Sequence, residues 1–156
     1  MTDSAALRGS TLYAEDITVG QAHSLGSYTV TEEEILEFAQ QWDPQWFHLD
    51  VAGAEAGVFG GLIASGLHTM AVYQKLMVAG LYSQWNVIAG KNLREVKFLR
   101  PVRPGDTLTG TAVIDDVVLD NRSRGQVTIT TTLTDDTDNR VLSVSTEVVV
   151  HARPDS

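Results

Sequence analysis

The hydrophobic rhythm of the chain changes about halfway along: turns of 3.6 residues dominate the first half and strict alternation the second. A short strand is predicted over Ala22–Val30. It leads into Thr31-Glu-Glu-Glu34, a Thr with a Glu three positions on, which is a capping-box pattern. Its acidic first turn suits the positive end of a helix dipole. Ile35, Phe38, Ala39 and Trp42 then recur at helical spacing, and Asp43-Pro44 ends the helix, because proline disfavours helical geometry in the residue before it. Pro44–Asp50 reads as an irregular loop, and the Ala/Glu segment that follows through Glu55 is broken by Gly57, Gly60 and Gly61. From Gly66 to about Leu81, apolar residues surround the helical wheel, so a long buried helix ending near Gly80 is expected.

Four further strands follow. Asn92–Leu99 is closed by Arg100-Pro-Val-Arg-Pro-Gly-Asp106, whose Pro-Gly-Asp marks a turn. Thr107–Leu119 places Leu108, Ala112 and Ile114 on one face and Thr107, Thr109 and Thr111 on the other. Gly125–Thr134 and Arg140–Val150 alternate in the same way, which predicts antiparallel strands with one covered face. The order of elements points to an α+β fold: a single domain over residues 1–156 with a curved antiparallel sheet wrapped around a long buried central helix. That is the outline of a hot-dog fold. Residues 1–12 are expected to form a loosely ordered segment, and the polar character extends through the first sixteen.

Composition narrows the chemistry. A length of 156 residues suits one domain, and 43% hydrophobic with 20% charged residues is globular. Eleven basic against twenty acidic side chains give a net charge of −9, which argues against nucleic acid or an anionic membrane as partner. With no cysteine, thiolate nucleophiles, disulfides and cysteine-ligated metals are excluded. The amino-terminal residues lack a basic stretch followed by an apolar run, and no apolar run reaches the ~18 residues of a membrane span, so a cytoplasmic location is expected. Catalysis, if there is any, falls to oxygen and imidazole groups.

Of four histidines, only His48 lies in an irregular segment with a carboxylate, Asp43, a few residues before it. Such a pair suits proton transfer next to a carbonyl or water addition to an activated double bond. Asp43 capping local amides beside a hydrogen-bonded His48 is the plainer alternative. Gly57–Gly66 (GVFGGLIASG) runs into the start of the long helix, where free N–H groups can hold an oxyanion or carbonyl oxygen, or where the glycines serve only as turns. Ser65 lacks a nucleophile elbow, since Ile63 and Leu67 stand where glycines are needed. There is no glycine-rich nucleotide fingerprint, and His48-Leu-Asp50 has no further ligand cluster, so no metal and no cofactor are expected.

Three stretches together carry a family resemblance: Phe38–Asp50 (FAQQWDPQWFHLD), Phe59–Thr69 (FGGLIASGLHT) and Val96–Leu108 (VKFLRPVRPGDTL). From about Tyr13 to Val150 the chain resembles the MaoC-like dehydratases, the (R)-specific enoyl-CoA hydratase group of hot-dog proteins. The family's loop reads approximately D-x-N-P-x-H. Asp43 and His48 keep its spacing, with Gln45 in place of Asn and Trp46 in place of Pro.

The resemblance implies that Asp43 and His48 share the acid and base roles, in an order left open, and that the Gly66 N–H binds the thioester oxygen. Ser65 stands where a His often precedes that glycine and is taken with the substrate-binding residues. The implied reaction is reversible water addition to a trans-2-enoyl-CoA, giving an (R)-3-hydroxyacyl-CoA. The implied partners are an acyl-CoA or acyl-carrier-protein thioester and a second copy of the chain in a homodimer or higher oligomer. Trp42 and Phe59 are candidates for the acyl pocket. Five of the eleven basic residues lie between Lys91 and Arg103, which makes Arg100 and Arg103 candidates for the CoA phosphates. With no bulge, strand parity would put Arg94 and Arg100 on one side and Lys97 and Arg103 on the other. A hot-dog acyl-CoA thioesterase and a non-catalytic acyl-binding or partner subunit are the alternatives.

Overall fold

The computed structural model describes residues 12–154. Strand β1 (Ala22–Thr29) is followed by helix α1 (Glu32–Trp42), two short helices, α2 (Trp46–Leu49) and α3 (Val51–Glu55), and the long helix α4 (Gly66–Gly80). Strands β2 (Val87–Phe98), β3 (Thr107–Leu119), β4 (Arg124–Thr134) and β5 (Arg140–His151) complete one antiparallel sheet in the order β1-β3-β4-β5-β2. This is the hot-dog arrangement of a five-stranded sheet around a long helix.

The period-two pattern places the core. Leu108, Ala112, Ile114, Val127, Ile129, Leu133, Leu142, Val144 and Val148 point inward and are buried, and Val72, Tyr73, Leu76 and Met77 of α4 pack against them. Among the buried polar groups, the Thr131 hydroxyl donates to the Met77 sulfur at 3.3 Å and the Tyr73 hydroxyl pairs with Thr146, whereas His68 Nδ1 has no hydrogen-bond partner among the described residues. Helix α4 also comes very close to β1. A Cβ on Gly80 would lie 2.7 Å from the Leu25 Cα, so that crossing requires glycine. Thr31 caps α1 by accepting from the Glu34 N–H at 3.2 Å. The Glu34 carboxylate accepts from the Tyr28 hydroxyl at 2.6 Å, tying α1 to β1.

Several local expectations are corrected. Pro44–Asp50 is not wholly irregular, since Trp46–Leu49 forms one helical turn. Strand β2 begins at Val87 rather than Asn92 and carries register shifts at Val87/Ala89, Gly90/Asn92 and Arg94/Lys97, with Glu95 at φ 49°. Each extra residue breaks the alternation that would have marked the strand. It also voids the parity assumed for the basic side chains. The burial of α4 is one-sided: Leu67, Ala71, Gln74, Lys75, Val78 and Ala79 are exposed, because one curved sheet covers only one flank.

The segment expected to be loosely ordered lies mostly outside the described residues. Its last residue, Leu12, is bridged to Trp85, and just after it Ala14 is fully buried in the core. Among the described residues no helix is long and apolar enough to cross a membrane.

Candidate active site

The end of α1, the turn α2 and the start of α4 meet at one place. Asp43 follows the last turn of α1 and donates its N–H to the Ala39 carbonyl at 2.9 Å, which sets the direction of its carboxylate. Pro44 forces the chain to bend there, and α2 brings His48 back beside Asp43. The return is stitched to the segment before α4: Ile63 N–H donates to the Phe47 carbonyl at 3.4 Å, and His48 Nδ1 lies 2.8 Å from the Ile63 carbonyl oxygen.

A carbonyl oxygen only accepts, so His48 Nδ1 carries the proton and the Nε2 of the neutral ring is an open lone pair. That Nε2 lies 3.4 Å from Asp43 Oδ2. The separation exceeds the 2.7–2.9 Å of a tight charge-assisted bond, so both groups can accept from one water.

Asp43 is held as a carboxylate. Ser65 Oγ donates to Oδ2 at 2.7 Å and Gln45 Nε2 donates to Oδ1 at 2.7 Å. These two bonds, Ser65 first, keep its pKa below the ordinary 3.8. Ser65 also accepts from Leu67 N–H at 3.2 Å as the N-cap of α4. The next residue, Gly66, opens the helix, where N–H groups have no intrahelical acceptor. No hydrogen bond ties its N–H to another described residue. A Cβ on Gly66 would lie 2.9 Å from the Phe98 ring, so only glycine lets that ring lie against the backbone here.

Asp43, His48, Gly66, Phe59 and Arg100 line a single cleft of about 480 Å³ together with Gln45, Ile63, Thr69 and Phe98. The remaining candidates stand elsewhere. Ser65 is only 1% exposed and lies behind the Asp43 carboxylate, so its hydroxyl orients the carboxylate and does not reach the cleft. Trp42 is 66% exposed and does not line the cleft: it shares the helical face of Ile35 and Ala39 but is the last residue of α1, where the core no longer covers that face. Arg103 does not line it either: its Nη2 donates to the Phe59 carbonyl at 2.5 Å.

The basic run is dispersed: Arg94 pairs with the buried Glu147 at 2.8 Å and Lys91 donates to Gln126 at 2.8 Å, which leaves Arg100 at the cleft. Sequence reasoning passed over Phe98, Thr69 and Ile63. Nothing in the spacing of Phe98 and Ile63 marks a cleft. A second cavity of about 370 Å³ lies between α4 and β2, lined by Gln74, Tyr82 and Lys91 among others, and holds neither member of the Asp–His pair.

Residues 16–137 match the model of the MaoC like domain family. The chain is 38% identical over 95 residues to the uncharacterized protein YdeM of Bacillus subtilis, covering 60% of this chain and 67% of that one. It is 32% identical over 123 residues to an (R)-specific enoyl-CoA hydratase of Rhodospirillum rubrum, covering 78% of this chain and 81% of that one. The crystal structure of a MaoC-like dehydratase from Rhodospirillum rubrum superimposes with a TM-score of 0.84 at 33% identity, over 92% of this chain and 99% of that one.

Proposed function

The chain belongs to the MaoC-like domain family, a family of hydratases and dehydratases, and from that footing we propose that it adds water reversibly to a trans-2-enoyl-CoA to give the (R)-3-hydroxyacyl-CoA. The observation that carries this reading is the 3.4 Å gap between Asp43 Oδ2 and His48 Nε2 in the cleft that also holds Gly66.

In the proposed reaction the thioester oxygen accepts the Gly66 N–H, which polarises the conjugated double bond. One water donates a hydrogen to Asp43 Oδ2 and the other to His48 Nε2. Its oxygen attacks C3, the charge moves to the thioester oxygen as an enolate, and the departing proton goes to Nε2. The imidazolium is stabilised by the ionised Asp43 beside it. It then returns its proton to C2 from the same face, so the addition is syn and both residues end as they began. Arg100, at the cleft, suits a CoA phosphate. No cofactor takes part, because CoA arrives as part of the substrate.

The test is a spectrophotometric screen of enoyl-CoAs of varied chain length with chiral analysis of the product. Loss of the conjugated absorbance and an (R) product are expected. Release of free thiol would instead favour a thioesterase.

We further propose a homodimer joined along β2. As an edge strand, β2 leaves Ile88 and Leu93 exposed, while Leu67 and Val78 form an apolar row on the uncovered flank of α4. Unpaired edges and apolar faces of this kind favour self-association. Light scattering is expected to give at least twice the chain mass of 16.9 kDa, and Leu93→Glu to shift it toward one copy. A wild-type chain running as an active monomer would remove the proposal.

A further inference from the structure

His68, the third residue of α4, is a buried titratable group that the proposed reaction does not use: it is 7% exposed and does not line the cleft of Asp43. Its ring lies flat on Phe38 of α1, 4.7 Å between centroids and 11° between planes. Its Nδ1 is buried with no hydrogen-bond partner among the described residues. A neutral imidazole carries one proton, so with no acceptor at Nδ1 that proton sits on Nε2 and Nδ1 is a bare lone pair. Protonating the ring would place a charged N–H where nothing accepts it, and burial makes that costly.

The stack closes a circuit of contacts around Asp43. The His68 N–H donates to the Ser65 carbonyl at 2.9 Å, Ser65 Oγ donates to Asp43 Oδ2 at 2.7 Å, and the Asp43 N–H donates to the Ala39 carbonyl at 2.9 Å. Ala39 is next to Phe38 in α1, and Phe38 returns to His68 through the two rings. Of these links, the stack is the one that a proton alters near neutral pH.

The surroundings oppose that proton. Burial holds the His68 pKa below the ordinary 6.5, against the attraction of Glu34, the charged group facing it from α1. The Glu34 carboxylate is engaged from β1 by the Tyr28 hydroxyl at 2.6 Å, and Lys75 of α4 lies over that same Tyr28 ring at 5.5 Å. The first turn of α4 is itself the positive end of a helix dipole, which disfavours a further cation.

We propose that His68 is a positioning residue for Asp43 and a pH-sensitive latch: its neutral ring on Phe38 holds α1 against the start of α4, and protonation opens that contact. The latch rests on the contacts above, and its effect on turnover rests on the hydratase reading as well. Between the folded pKa and 6.5 the unfolded chain binds more protons than the folded one. Stability from the stack is therefore complete above 6.5 and is lost as pH falls through the folded value.

Nitrogen NMR of the wild-type imidazoles is expected to show His68 as the Nε2–H tautomer with a titration midpoint below 6.5. The Nδ1–H tautomer, or a midpoint at 6.5 or above, overturns the latch. His68→Phe keeps a flat ring on Phe38 and removes the titration. As pH falls from about 7.5 to about 5.5, the unfolding constant of wild type relative to His68→Phe is expected to rise more than twofold and at most about tenfold, the limit for one proton. Groups common to both chains cancel in that ratio, and a ratio constant to within about twofold overturns the latch.

At the site, folded His68→Ala is expected to lower kcat for crotonyl-CoA by more than about threefold with little change in KM, and His68→Phe to restore it. A smaller fall in kcat, or no restoration by Phe, overturns the positioning role. If wild type hydrates no enoyl-CoA, only the hydratase reading falls, and the NMR and unfolding measurements still decide the latch.

Discussion

Asp43→Asn lowers the rate of crotonyl-CoA hydration by at least ~10²-fold, the usual cost of losing a positioned acid or base. The substitution keeps the size of the side chain and removes its charge. With Asn there, the water loses one acceptor and the imidazolium that forms on His48 loses the anion 3.4 Å away. The pH profile carries a second signature. Because Ser65 and Gln45 hold the Asp43 pKa below 3.8 in the folded chain, the unfolded chain binds more protons between those two values. Stability from the carboxylate is therefore complete above 3.8 and is lost as pH falls through the folded value. Ser65→Ala, which deletes the largest of the contacts that hold the carboxylate ionised, is expected to raise the pH at which that stability is lost. Near-normal hydration by purified, folded Asp43→Asn would sink the assignment.

His48→Ala produces a loss of similar size, at least ~10²-fold, with a larger stability cost than Asp43→Asn. His48 is buried, and its Nδ1–H is paired with the Ile63 carbonyl at 2.8 Å. Removing the ring leaves that acceptor without its partner, which costs about 1–3 kcal/mol, and opens a gap beneath Phe47. Rate and urea midpoint should therefore fall together in this variant, and the midpoint should fall further than in Asp43→Asn, which keeps the side chain's size and loses only the carboxylate's contribution. Crotonyl-CoA turnover measured well below each variant's unfolding midpoint distinguishes the two. A folded His48→Ala retaining wild-type turnover would contradict the proton path through Nε2.

How much of this was readable in the chain depends on the distance over which each feature is decided. The bounds of β3 were legible to the residue, because Thr107–Leu119 alternates without interruption until its bulge after Ile114. The start of β2 was not, since three register shifts scatter its side chains between faces. The one-turn helix at Trp46–Leu49 is too short for any period to register. At the site, Asp43 and His48 were legible as a pair because a five-residue spacing is local, and Gly66 because a glycine opening a helix is local too. Ser65 was legible as present but not as Asp43's partner, since that contact spans 22 positions. Nothing in the alternation of Val87–Phe98 told that Phe98 would lie on Gly66.

The sequence by itself determined the strand faces, the helix that must be covered and the two residues able to move a proton. These follow from periodicity and residue chemistry, which act between near neighbours. Only the tertiary structure decided which flank of α4 the sheet covers, that Ser65 and Gln45 hold Asp43 as an anion, and that the Ile63 carbonyl fixes the His48 tautomer. It also decided that the clustered arginines part company, Arg94 to Glu147, Arg103 to Phe59 and Arg100 to the cleft. Each of these is set by packing between segments far apart in the chain, where a bulge or a half-turn redirects a side chain without leaving a local trace.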